Sequence, residues 1–237
     1  MRLAATLSAL ALIAACSEQA PAPAPTPTAT IAEPRTLVAA DLDPATLGAK
    51  IAGSKGTDPE FSVMAGGKVV ASVAAFVACP KEVTACTPET LPAETIYTYV
   101  LRVTPAPTGP MAPRTPPASP TAVGKLVEMP ALLFRMTRPA HGFNGAVGYA
   151  IAEAEAALGS PDAISVTLDE DQLIWRVTGG SGWKPDMPIT FWWQSAIAPD
   201  GPQPVYRLEM GDAGWTATGP FPAKETADKA VEAIEVR

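Results

Sequence analysis

The run Leu173-Ile174-Trp175-Arg176-Val177-Thr178 decides how the rest of the chain is read. Leu173, Trp175 and Val177 fall on one side, Arg176 and Thr178 on the other. That two-residue period belongs to a half-buried β-strand. Ala163–Leu168 precedes it across the acidic turn Asp169-Glu170-Asp171, so two strands flank one turn. Toward the C-terminus, Ile189–Ser195, Val205–Glu209 and Trp215–Thr218 read as further strands separated by Pro, Gly and Asp. Toward the N-terminus lie Ala131–Met136 and Ile96–Thr104; the latter has Tyr97, Tyr99, Leu101 and Val103 on one face. Phe61–Met64 and Lys68–Ala78 form a hairpin through Ala65-Gly66-Gly67. Two short helices are expected, at Ala45–Ile51 and at Tyr149–Leu158, the second closed by Gly159 and Pro161. Many short strands with turns between them predict a mainly β, antiparallel, sandwich-like domain. Thr226–Val236 reads equally as helix or strand.

Composition sets outer limits. The chain has 237 residues, 47% of them hydrophobic and 17% charged, enough for one or two small domains with buried cores. Its 27 prolines far exceed the usual share of about 5%. Many of them fall in two blocks, Pro21–Pro34 and Pro105–Pro130, where no compact element survives. The formal net charge is -7, with a pI near 4.8. That sign argues against nucleic acid, whose phosphates would be repelled. It also argues against attachment to a membrane through an overall basic surface.

The N-terminus supplies another route. Met1-Arg2 is a short positive region, Leu3–Ala15 is apolar, and Ile13-Ala14-Ala15-Cys16 ends the run. The apolar stretch suits a signal peptide and falls short of the roughly 20 residues that span a bilayer. This segment resembles the lipobox signal of bacterial lipoproteins. The resemblance implies cleavage before Cys16, diacylglycerol on its thiol and acylation of its new amine, with chains such as palmitate. Ser17 rather than Asp follows, which in that family's sorting pattern implies delivery to the outer membrane. The organisation then reads as a signal peptide (1–15), a Pro/Ala/Thr-rich tether (16–36) and a first β segment (37–104). A Pro-rich linker or surface excursion (105–130) and a second β segment (131–237) follow. Residues 37–237 read either as one domain or as two repeated units, because Phe61–Val73 and Ile164–Val177 share a strand-turn-strand pattern. With Cys16 lipidated in an oxidising compartment, Cys79 and Cys86 remain as a pair, and a disulfide between them is expected.

Catalytic signatures are sparse. The one histidine, His141, would need a presented nucleophile, and Ser181 in Gly179-Gly180-Ser181-Gly182-Trp183 is the candidate. Trp183 stands where G-x-S-x-G requires its second Gly. Ser181-Gly182-Trp183-Lys184 matches S-x-x-K, yet Pro185 and Pro188 oppose the helix that motif needs. No metal set, nucleotide loop or cofactor motif is found. Trp183, Trp192 and Trp215 carry the remaining binding hypothesis. Indole faces exposed beside polar groups stack on sugars, whereas the alternative is that they fill the core. The expectation is a lipid-anchored cell-envelope protein with a non-catalytic binding or structural β ectodomain. A carbohydrate or peptidoglycan module using those Trp residues, and a hydrolase using His141 and Ser181, are the alternatives. The expected partners are the membrane through the lipid and an envelope glycan or protein.

Overall fold

The computed structural model of the chain describes residues 33–56, 60–107 and 132–224. Cys16 and its signal, the tether up to residue 32, the Pro-rich stretch from 108 to 131 and the 226–236 segment lie outside the described residues. In chain order the elements are β1 (Arg35–Leu37), β2 (Ala40–Asp41), β3 (Leu47–Lys50), β4 (Phe61–Ala65), β5 (Lys68–Pro80) and β6 (Tyr97–Pro105). There follow β7 (Leu132–Met136), β8 (Phe143–Tyr149), α1 (Ile151–Leu158), β9 (Ile164–Asp169) and β10 (Gln172–Val177). β11 (Ile189–Ser195), β12 (Pro199–Met210) and β13 (Ala213–Pro222) complete the set.

These strands form two packed sheets, the expected sandwich. One has the order β1-β9-β10-β7-β12-β13; the other has β2-β8-β11-β6-β5-β3, with β4 also on β5. Every pairing is antiparallel except β2 with β8. Both sheets contain strands from both halves of the sequence: β1 edges a sheet otherwise built from the second half, and β8 and β11 lie between β2 and β6 in the other. The anchoring hairpin pairs Leu173 with Leu168 and Trp175 with Val166, turning at Glu170 and Asp171. Both turn residues have positive φ, as a tight two-residue hairpin demands.

The inner faces meet over an aromatic core. Phe134 stacks on Phe191 at 4.9 Å and on Tyr206 at 5.7 Å, and Tyr99 stacks on Trp193 at 4.6 Å. Trp175 is fully buried and its Nε1 donates to the Gly148 carbonyl at 3.0 Å, which removes the cost of an orphaned indole N–H. The open sides are also closed. Residues 35–41 pass from the edge of one sheet (β1) to the edge of the other (β2). On the opposite side β13 packs against β4 and β5.

Two expectations need correction. The helix placed at Ala45–Ile51 is a 3-10 turn at Pro44–Thr46 followed by strand β3. Asp43 caps the turn through Ala45 N, but Leu47 and Lys50 then pair with β5, and Ala49 N donates to Val83 O. Tertiary pairing overrides a weak local preference. Strand β8 has no counterpart among the expected strands, because its Gly145 and Gly148 break the usual strand composition. Gly148 is there because β2 passes so close that a Cβ would meet the Ala40 backbone, 2.7 Å from its carbonyl carbon. The expected helix at Tyr149–Leu158 is α1, beginning two residues later. The strand β1 starts at Arg35, within the stretch assigned to the tether.

Candidate functional site

A cleft of about 780 Å³ opens at the end of the sandwich where β5 and β11 finish and β6 begins. Its walls come from five separate stretches: residues 51–55, the β5–β6 connection, the start of β6, the β11–β12 bend, and the residues after β13. That size lies within the range of small-ligand sites. Ile51, Leu91 and Ile197 supply apolar surface, and Pro88, Pro92 and Pro199 stiffen the rim.

Each wall is fixed by an identifiable bond. The Cys79–Cys86 disulfide, with Cα atoms 5.7 Å apart, ties the β5–β6 connection to the end of β5. Pro88–Thr90 then forms a 3-10 turn that carries Glu89 to the rim. The buried Tyr99 hydroxyl donates to Ile197 O at 2.8 Å and so holds the β11–β12 bend from behind. Ser195 reinforces that bend: its Oγ donates to His141 O and accepts from Ile197 N. The Ala223 N–H donates to Ala198 O, which joins the last wall to the bend.

The cleft carries several polar and charged groups. Lys55 and Glu89 pair at 4.0 Å with both side chains mostly exposed, so the pair adds little stability and is free to engage a ligand. Tyr97 lines the cleft; burial first, and the Glu89 carboxylate second, raise its phenol above the ordinary value of 10.0. It is therefore a neutral hydroxyl at physiological pH, able to donate a hydrogen bond. Asp200 and Lys224 add one charge of each sign. The lining residues include no histidine, and Cys86 is held in the disulfide.

The residues singled out from sequence fall elsewhere. Trp183 is buried, edge-on to Phe191, with Nε1 donating to Met187 O at 2.7 Å. Trp192 does point to the outer face of its sheet as strand alternation requires, between Val100 and Gly148, yet it is only 8% exposed. Trp215 is half-buried against the core, opposite Leu208. With two of the three indoles buried, no shared exposed aromatic surface forms. Core packing has taken Trp183 and part of Trp215, as burial of large apolar area favours, while Trp192 is covered on the outer face.

His141 and Ser181 are also kept apart. Ala140 N donates to Asp171 O at the turn that begins β10, whereas Ser181 lies beyond the other end of that strand. Six residues of strand put roughly 20 Å between the two ends. The Gly179–Lys184 loop has a structural task instead. Ser181 donates to Leu158 O through both N and Oγ, Lys184 N donates to Ala157 O, and Lys184 Nζ donates to Ala156 O. These bonds satisfy carbonyls that a helix C-terminus leaves open and place an ammonium at its negative end. Among the described residues no cluster of His, Cys, Asp and Glu is arranged to hold a metal ion.

The cleft itself was not legible from the sequence, because its five stretches converge only after folding. The one signal was the proline-rich loop chemistry at 88–92 and 199–204. Comparison with protein-family models, curated proteins and solved structures finds no match for this chain.

Proposed function

We propose that the chain is a lipid-anchored cell-envelope protein whose β-sandwich is a non-catalytic binding module, with the end cleft as its ligand site. The observation that carries this reading is the cleft: about 780 Å³, with apolar surface from Ile51, Leu91 and Ile197 beside charged and phenolic groups. Such a site suits a small amphipathic ligand with an apolar body and a polar flank. The lipobox-like Ile13-Ala14-Ala15-Cys16 supports the anchoring, and the following Pro-rich stretch supports a stalk of about 3.1 Å per residue. The net charge of -7 gives the chain as a whole no attraction to an anionic membrane, which is consistent with an anchor. The separation of His141 from Ser181 and the burial of Trp183 and Trp192 favour this reading over the hydrolase and glycan-platform alternatives.

The cleft is tested with the fluorescent apolar probe N-phenyl-1-naphthylamine. Saturable binding is expected, abolished in Leu91→Trp and in Ile197→Trp while the folded far-UV signal persists. Equal binding in both variants would remove the cleft as the site. For the anchor, metabolic labelling with radioactive palmitate should mark the chain and fail in Cys16→Ala; label retained in that variant would refute lipidation at Cys16.

A further inference from the structure

The outer face of the sheet containing β7 carries a charge pattern opposite to that of the chain. In-register pairing sets Arg135 on β7 directly opposite Arg207 on β12, and Arg176 on β10 opposite Leu133, one diagonal step from Arg135. Directly opposed side chains on adjacent strands lie about 5 Å apart at Cβ, and diagonal ones about 7–8 Å. Like charges so placed repel each other. Glu209 is the one carboxylate set among these three residues, its Oε1 paired with Arg207 Nε at 2.8 Å and with Arg135 Nε at 3.6 Å. Three guanidiniums against one carboxylate leave an excess of two positive charges, in a chain of net charge -7.

The arrangement is built, not scattered. Glu209 lies nearest to Nε of both arginines, Arg135 Nε is buried without a hydrogen-bond partner, and the terminal nitrogens are not the atoms paired with the carboxylate. Gly214 on β13 provides the space in which Arg207 lies: a Cβ there would overlap the guanidinium, 2.7 Å from Cζ. Arg176 and Arg207 are exposed, and Arg135 is partly so.

We infer that Arg135, Arg176 and Arg207, ordered by Glu209 and Gly214, bind a phosphate monoester group on the outer face of this sheet. Guanidinium forks match phosphate oxygens in bidentate geometry, and a phosphate dianion balances the local excess of charge. The group belongs either to a free phosphorylated solute or to a lipid headgroup; a flat sheet face admits both.

The test uses the full chain carrying Cys16→Ala, so that no acyl chain contributes. Calorimetric titration with inorganic phosphate is run beside flotation with phosphatidylcholine vesicles with and without phosphatidic acid. Saturable phosphate binding is expected, weakened about tenfold or more in Arg135→Gln and in Arg207→Gln. Gly214→Ala keeps every charge but displaces Arg207, and is expected to weaken binding with an unchanged melting temperature. Binding of phosphate in both arms supports recognition of the group from either source; flotation only with phosphatidic acid supports a headgroup source. Absence of binding in both arms, binding indifferent to all three substitutions, or equal competition by acetate would overturn the inference.

Discussion

Tyr206 and Tyr99 show how single residues tie this core to pH. Both hydroxyls donate to carbonyls, Tyr206 to Pro220 O at 2.9 Å and Tyr99 to Ile197 O at 2.8 Å. Burial is the leading reason that both phenols lie above the ordinary value of 10.0. Because the folded state holds these protons more tightly than the unfolded state, their stabilising contribution is complete below pH 10. It falls as pH rises above that value, by about 1.4 kcal/mol per pH unit for each such tyrosine. Urea denaturation at a series of alkaline pH values should show this loss. Spectrophotometric titration should show the two phenols ionising only as the chain unfolds. Tyr206→Phe should cost about 1–2 kcal/mol at neutral pH, since Pro220 O is left buried without its donor, and should flatten the alkaline slope.

At the scale of elements, α1 depends on a residue far away in sequence. Its N-cap position is Ala150, which has no side-chain acceptor, and Asp41 Oδ1 accepts Ile151 N at 2.9 Å instead. Asp41 also sits at the positive end of the helix. Glu153 then accepts Thr190 N at 2.7 Å and pairs with Arg102 at 3.3 Å, fastening the helix to the second sheet. Asp41→Ala should lower stability by about 1 kcal/mol, and amide exchange should rise first at Ile151 in hydrogen-exchange measurements. The β5–β6 connection makes a second case. Replacing Cys79 and Cys86 by Ser should cost about 2.5 kcal/mol on the chain-entropy account. It should also weaken probe binding in the cleft, because the disulfide fixes one wall.

For the whole molecule, closure of the sandwich sides matters more than any one pair. The β1–β2 segment bridges the edges of both sheets, and β2 fits beside β8 only because Gly148 has no side chain. Gly148→Ala should push β2 away, release Asp41 from α1 and open that side, with a loss of about 2 kcal/mol or more. Protease nicking near Ala40 and a shifted urea midpoint would report it; an unchanged midpoint would show that this side is closed by other contacts. The cleft at the end of the sandwich should be untouched, so probe binding is expected to persist in the folded fraction.

Alternation in Leu173–Thr178, Ile189–Ser195 and Ile96–Thr104 was enough to predict a mainly β sandwich, since a period of two is a local property that burial on one face enforces. The Cys79–Cys86 pair was legible for a similar reason: the two residues are only seven apart. Short edge strands and β8 were not, because pairing partners distant in sequence supply their stability. Trp192 was placed correctly on the outer face, but whether it is covered depends on what folds over it. The cleft, the arginine cluster and the Asp41 cap each join residues distant along the chain. Sequence determined the strands and their faces; only the tertiary structure decided which faces meet and where a ligand fits, because those contacts are set by register and closure.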